Sequence, residues 1–211
     1  MYCYVTENTI VSGSHGLDRI RALVLMLDES DAPFPDMALA ILPFVCPMLK
    51  RLEVCADEKV SLLGLNGANY FPHLEYLSLW TVKEAMSKDD ILRTLEGGDN
   101  LRELRISGSS YCCNPEVLHA VPDSVKILAL TFLAYFEDAA EFQESLPILS
   151  SHPNIQELTL RSVCDPDSLS VGNMDWLGLK PALSRLTSIA IESLNCKGTF
   201  IVPKFCHSER T

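Results

Sequence analysis

Apolar residues recur along this chain in one spacing: an apolar position, two variable ones, a second apolar position, one variable, and a third apolar position. The seven copies are Ile20/Leu23/Leu25, Leu49/Leu52/Val54, Leu74/Leu77/Leu79, Leu101/Leu104/Ile106, Val125/Leu128/Leu130, Ile155/Leu158/Leu160 and Leu186/Ile189/Ile191. The last two apolar positions of each copy stand one residue apart, the period of a strand with one buried face. Helical spacing fills several of the intervals. Met37 to Cys46 places Leu39, Leu42 and Cys46 on one face behind Pro35 as an opener. Lys88 to Leu95 aligns Ile91, Leu92 and Leu95, with Gly97-Gly98 as a stop. Asn114 caps a short turn through Leu118, and Glu137 to Leu149 spaces Ala140, Phe142, Leu146 and Leu149 as another helix whose last turn Pro147 weakens. Each unit has an apolar face that it cannot bury alone, so the units must stack into a solenoid.

Successive copies start 29, 25, 27, 24, 30 and 31 residues apart. That is close to the period at which a leucine-rich repeat supplies one strand and one return segment. The expected fold is therefore α/β: a leucine-rich-repeat solenoid of about seven repeats, with a curved parallel sheet on the concave side and helices and turns on the convex side. The repeat domain spans 18–196. Residues 1–17, punctuated by Ser12-Gly13-Ser14-His15-Gly16, read as an irregular lead-in or partial cap, and 197–211 as a tail or minimal C-terminal cap. Longer loops are expected at Val60 to Phe71 and Cys164 to Leu179, where Gly, Asn and Asp accumulate.

A net charge of −11 disfavours nucleic acid and anionic membranes, whose binding requires clustered Lys and Arg. The start of the sequence resembles neither a signal peptide nor a transit peptide, and the longest apolar stretch, Met37 to Leu49, is interrupted by Pro43 and Pro47 and too short to span a bilayer. These features point to an intracellular protein, cytoplasmic or nuclear. The eight cysteines contain no Cys-x-x-Cys and several flank repeat strands, so they read as reduced core residues. Cys112, Cys113 and His119 fall short of the four ligands at paired spacings that zinc normally takes, and no metal or cofactor is expected.

Four repeats carry a Pro two or three residues before the first apolar position: Cys46-Pro47-Met48-Leu49, Phe71-Pro72-His73-Leu74, Val121-Pro122-Asp123-Ser124-Val125 and His152-Pro153-Asn154-Ile155. Over about residues 18 to 194 this succession of helix, Pro-containing turn and strand resembles the leucine-rich-repeat part of F-box proteins, particularly the divergent fungal ones. The resemblance implies substrate recognition in ubiquitin ligation, with ligase subunits recruited through an N-terminal module. No F-box-like helical segment precedes the repeats, so the resemblance further implies a fragment, a shortened product or a relative without that module. The Asn or Cys ladder that such repeats often place three residues after the last strand apolar is replaced by Asp28, Asp57, Val82, Ser109, Leu133, Val163 and Leu194.

If the apolar positions face the core, the intervening ones line the concave surface in three rows. The first is Ala22, Arg51, Tyr76, Glu103, Ile127, Glu157, Ser188; the second Val24, Glu53, Ser78, Arg105, Ala129, Thr159, Ala190; the third Met26, Cys55, Trp80, Ser107, Thr131, Arg161, Glu192. Exposed aromatics flanked by Arg and Glu are the composition of an interface hot spot. The candidate partner-binding residues are accordingly Arg51, Glu53, Tyr76, Trp80, Glu103, Arg105, Glu157 and Arg161. The alternative is that Trp80 packs under a loop and the charges only solvate the sheet. Ala22, Val24 and Met26 make the first strand wholly apolar on this side, which calls for cover by residues 1–17, a missing module or a second molecule.

Enzyme chemistry finds no support in the motifs. The five histidines are dispersed, His73 and His152 sit in pre-strand turns where they read as structural, and neither a phosphate-binding glycine loop nor Gly-x-Ser-x-Gly occurs. The expected activity is protein–protein interaction on the concave face, as the substrate-recognition part of an F-box-like ubiquitin-ligase adaptor. A non-ligase repeat scaffold, or the repeat segment of an immune-type receptor, is the alternative.

Overall fold

The computed structural model describes residues 3–5, 17–27, 34–56, 71–81, 87–108, 110–134, 139–164, 180–195 and 200–201. In chain order the elements are β1 (Cys3–Val5), β2 (Ala22–Leu27), α1 (Phe34–Val45), β3 (Arg51–Ala56), β4 (Tyr76–Thr81), α2 (Lys88–Leu95), β5 (Glu103–Ser107), α3 (Pro115–His119), β6 (Ile127–Ala134), α4 (Ala139–Ser151), β7 (Glu157–Cys164), α5 (Lys180–Leu183), β8 (Ser188–Asn195) and β9 (Phe200–Ile201). Short 3-10 turns stand at Leu17–Arg19 and Ser110–Cys113.

All nine strands form one open sheet in sequence order, parallel from β1 to β8 and closed off by an antiparallel β9. From β1 to β8 each strand pairs in parallel with the next one in the chain, a solenoid-like arrangement. The seven apolar copies supply β2 to β8. Their first apolar residue lies in the turn before the strand, and the other two point inward from it. Leu52, Leu77, Leu79, Leu104, Leu128 and Leu130 are fully enclosed, and they meet Leu42 of α1, Ile91 and Leu95 of α2, Val117 and Leu118 of α3, and Leu146 and Leu149 of α4 in one core. In the last repeat Leu186, Ile189 and Ile191 are only partly buried.

Two hydrogen-bond systems lock neighbouring repeats. The carbonyl of the residue before each strand accepts two N–H groups from the next repeat. Thus Arg21 O takes Lys50 N and Arg51 N at 2.8 and 2.9 Å, and Lys50 O takes Glu75 N and Tyr76 N at 2.8 and 3.0 Å. Glu75, Arg102, Lys126 and Gln156 repeat this pattern. Ahead of it, reverse turns close through Leu49 N to Cys46 O, Leu74 N to Phe71 O, Leu101 N to Gly98 O and Val125 N to Pro122 O. Pro47 and Pro72 occupy the second position of such turns, where the fixed φ of Pro is already correct. Two of the four prolines that carry the resemblance are thereby explained as local turn chemistry.

The second system is made by side chains. The residue just before the first apolar position reaches back one repeat: Asn100 Nδ2 donates to Pro72 O at 2.9 Å, Ser124 Oγ to Gly98 O at 3.0 Å, Asn154 Nδ2 to Asp123 O at 2.8 Å and Arg185 Nη2 to His152 O at 3.1 Å. This ladder runs along the turn side of the sheet. At the opposite strand ends, Leu133, Val163 and Leu194, which replace the expected Asn or Cys, lie within the longer strands β6, β7 and β8, in register with one another.

The segment read as an irregular lead-in or partial cap contains β1, and the one read as a tail or minimal C-terminal cap contains β9. Neither has a periodic signature, since strands of three and two residues are too short to show one. α1 begins at Phe34 rather than Met37. α4 runs through Pro147 to Ser151, past the expected end. Pro147 is exposed, and burial of Leu146 and Leu149 on the other side holds the turn that its missing N–H would loosen. α2 matches its expected limits and has a capping box, with Asp90 N bonded to Ser87 Oγ at 3.2 Å and Ser87 N to Asp90 Oδ2 at 3.2 Å. Asn114 caps α3 through Glu116 N at 3.0 Å. Apart from Phe71 and Cys164, the two expected long loops lie outside the described residues.

Candidate functional site

The helices and the core occupy one side of the sheet. On the other side the intervening residues of β2 to β8 stand in the three expected rows, strand by strand: Arg51 against Tyr76 and Tyr76 against Glu103, Glu53 against Ser78 and Ser78 against Arg105, Cys55 against Trp80 and Trp80 against Ser107. This open face carries one charged aromatic cluster on β3, β4 and β5. Arg51 places its guanidinium carbon 3.6 Å from the centre of the Tyr76 ring, and Arg105 stands 5.7 Å away on the other flank. Each arginine is held by a carboxylate two residues along its own strand. Arg51 Nε and Nη2 reach Glu53 Oε1 at 3.0 and 2.6 Å, and Arg105 Nε and Nη2 reach Glu103 Oε1 at 2.7 and 2.6 Å.

Tyr76 is the main correction here. It was expected to be exposed, yet it is only 8% accessible, because the arginines of the two neighbouring strands cover it. Burial raises its pKa, against the opposing effects of Arg105, a hydrogen bond with Ser78, and Arg51. Its ring thus supports the guanidinium plates rather than offering a surface of its own. Trp80 meets its expectation and is 45% accessible. Beside it Cys55 is half-buried, and desolvation followed by the charge of Glu53 raises its pKa, so it stays a neutral thiol.

The eight candidate residues share this face but not one cluster. Arg51, Glu53, Tyr76, Trp80, Glu103 and Arg105 come together on three adjacent strands. Glu157 and Arg161 stand on β7, separated from them by Ile127, Ala129 and Thr131 of β6. Met26, 59% accessible, was named only for the apolar edge strand, and it extends the exposed apolar surface from β4 toward β2. β1 pairs in the plane of the sheet beside β2 and so covers its hydrogen-bonding edge, while the open side of Met26 remains accessible.

Other candidate chemistry resolves into structure. His152 is buried and its Nε2 lies 2.8 Å from Leu118 O, a bond that needs the Nε2–H tautomer and ties the pre-β7 turn to α3. His73, expected to be structural as well, is exposed and makes no side-chain hydrogen bond among the described residues. Cys112 and Cys113 are core residues with thiols 3.9 Å apart, whereas His119 is exposed. Among the described residues, no three of His, Cys, Asp and Glu gather to hold a metal ion. No helix among them is long and apolar enough to cross a membrane. A hollow of about 200 Å³ lined by Phe71, Pro72, Leu74, Gly97, Gly98, Asp99 and Asn100 lies on the turn side, away from the open face.

The chain matches no protein-family model, no curated protein and no solved structure.

Proposed function

We propose that this chain is a leucine-rich-repeat binding module that engages a protein partner on the open face of its sheet. The observation that carries the reading is Trp80. A tryptophan left 45% accessible in the middle of a sheet face, beside arginines already fixed by Glu53, Glu103 and the Tyr76 ring, is a preorganised anchor. Fixed side chains lose less rotamer freedom on binding, which favours affinity. The repeat spacing, the Pro-containing turns and the consecutive parallel strands support the leucine-rich-repeat class. The narrower reading, substrate recognition for an F-box-like ubiquitin ligase, is supported by the resemblance of those turns alone.

A photo-crosslinking phenylalanine analogue placed at Met26 on the open face, or at Phe44 on the outer side of α1, tests this in native lysate. The two positions are 59% and 78% accessible, so access alone favours Phe44. A discrete crosslinked protein obtained from Met26 and not from Phe44 is the expected result, and ubiquitin-ligase subunits in the same capture support the narrower role. Crosslinks from Phe44 alone contradict the assignment of the face.

A further inference from the structure

The charges of the open face form a pattern that is complementary to itself. On β3 the order along the strand is Arg51 then Glu53, and on β5 it is Glu103 then Arg105, so the two ion pairs that flank β4 point in opposite directions. From β2 to β6 the three rows carry these charges and no others, and they sum to zero in a chain whose net charge is −11. Such a patch has no net charge to attract an acidic or a basic partner. It discriminates by pattern instead.

When two such sheets face each other, a two-fold rotation about an axis along β4 carries β3 of one copy over β5 of the other, and β2 over β6. Arg51 then opposes Glu103 and Glu53 opposes Arg105, each relation occurring on both sides of the axis as an isologous contact requires. The uncharged positions match as well: Val24 meets Ala129, Met26 meets Thr131, and Trp80 meets Trp80 of the second copy. Moving the axis by one strand destroys the match. Along β3 it sets Arg51 against Arg51 and Glu53 against Glu53, and along β5 it does the same with Glu103 and Arg105. Trp80 and the two arginines lie on or next to the β4 axis, where two solenoid sheets that curve toward their open faces stand furthest apart.

Resting on the reading that the open face binds a protein, we propose that its partner is a second copy of this chain, related by a two-fold axis along β4. Trp80 and Met26, 45% and 59% accessible, supply apolar surface to bury, and the crossed Arg and Glu relations fix the register. Five strands about 4.8 Å apart and three rows about 7 Å apart give about 500 Å² on each copy, or about 1,000 Å² in all. That is the low end of specific interfaces, so the dimer is a weak one that forms at micromolar concentrations or above.

Sedimentation equilibrium of the purified full chain, from micromolar to near-millimolar concentration, tests this, with circular dichroism to verify that each variant is folded. Wild type should dimerise. Arg51→Glu and Glu103→Arg should each weaken the dimer at least tenfold, because each places like charges opposite one another on both sides of the axis. An equimolar mixture of the two variants should regain wild-type association, since the reversed position 51 of one copy then meets the reversed position 103 of the other. Trp80→Ala should weaken the wild-type dimer at least tenfold. A monomeric wild type, or a mixture that associates no better than either variant alone, overturns the second copy as partner, and a foreign protein crosslinked through Met26 then still upholds the open-face reading. Dimerisation lost on Phe44→Ala and untouched by Trp80→Ala counts against both.

Discussion

Leu79 and Trp80 are neighbours on β4, yet one is fully enclosed and the other 45% accessible. The same contrast runs through the whole sheet. Toward the helices, Leu, Ile and Val from every repeat merge into a continuous core. Toward solvent, the cluster on β3 to β5 holds its charges in ion pairs and leaves an indole uncovered. Strand alternation makes this division possible, because each side chain serves one face only. If the open face binds as proposed, substitutions on the two faces should give opposite signatures, one in stability and the other in binding.

The largest effects belong to the core side. Leu79→Ala removes a fully buried side chain and should cost about 2–5 kcal/mol in urea unfolding, while Trp80→Ala should cost below about 1 kcal/mol. Equal losses would erase the distinction between the faces. Gly108 at the end of β5 comes next. It has φ +87°, and a Cβ there would sit 1.7 Å from Thr81 O, so Gly108→Ala must displace the backbone of β4 and should lower stability by about 3 kcal/mol or more.

The turn-side ladder should give intermediate effects. Asn100→Ala and Asn154→Ala each remove one exposed bond between repeats, and a loss of about 1 kcal/mol is expected for each in urea unfolding. The two sites lie in separate turns, so their effects should add. The smallest effect concerns Glu75, whose pKa is lowered by its hydrogen bond with Lys50, 2.5 Å away, and then by the charge of that lysine. A depressed carboxylate pKa means that the stabilisation is present above the ordinary value of 4.5 and is lost as pH falls through the folded-state pKa. Glu75→Gln should therefore lower stability slightly at neutral pH and leave it unchanged in acid, which flattens the acid side of the stability profile. A steepened acid limb would contradict the pairing.

Much of this division was legible in the residues. The spacing of Leu52 and Val54, or Leu104 and Ile106, defines a strand and its buried side without reference to any other part of the chain, and seven copies fix the register of seven strands. The three rows followed from that alone. What lay over each row did not. Alternation assigns Tyr76 to the open face, but its burial depends on the reach of Arg51 and Arg105 from neighbouring strands, a cross-strand property invisible in a single repeat. The ladder of Asn100, Ser124, Asn154 and Arg185 was missed for a related reason. The polar residue before the first apolar position varies in type, and Met48 and His73 interrupt it. β1 and β9 carry too few residues for any pattern, and α4 continues past Pro147 because packing outweighs local propensity.

Affinity for the partner captured through Met26 tests the division most directly, measured by calorimetric titration on Trp80→Ala and on Phe44→Ala. Both variants truncate an exposed aromatic, one on the open face and one on the outer side of α1. The two-face account predicts at least a tenfold loss for Trp80→Ala and an unchanged affinity for Phe44→Ala, with both variants folded. Loss on Phe44→Ala with full binding by Trp80→Ala would move recognition to the helical side and contradict it.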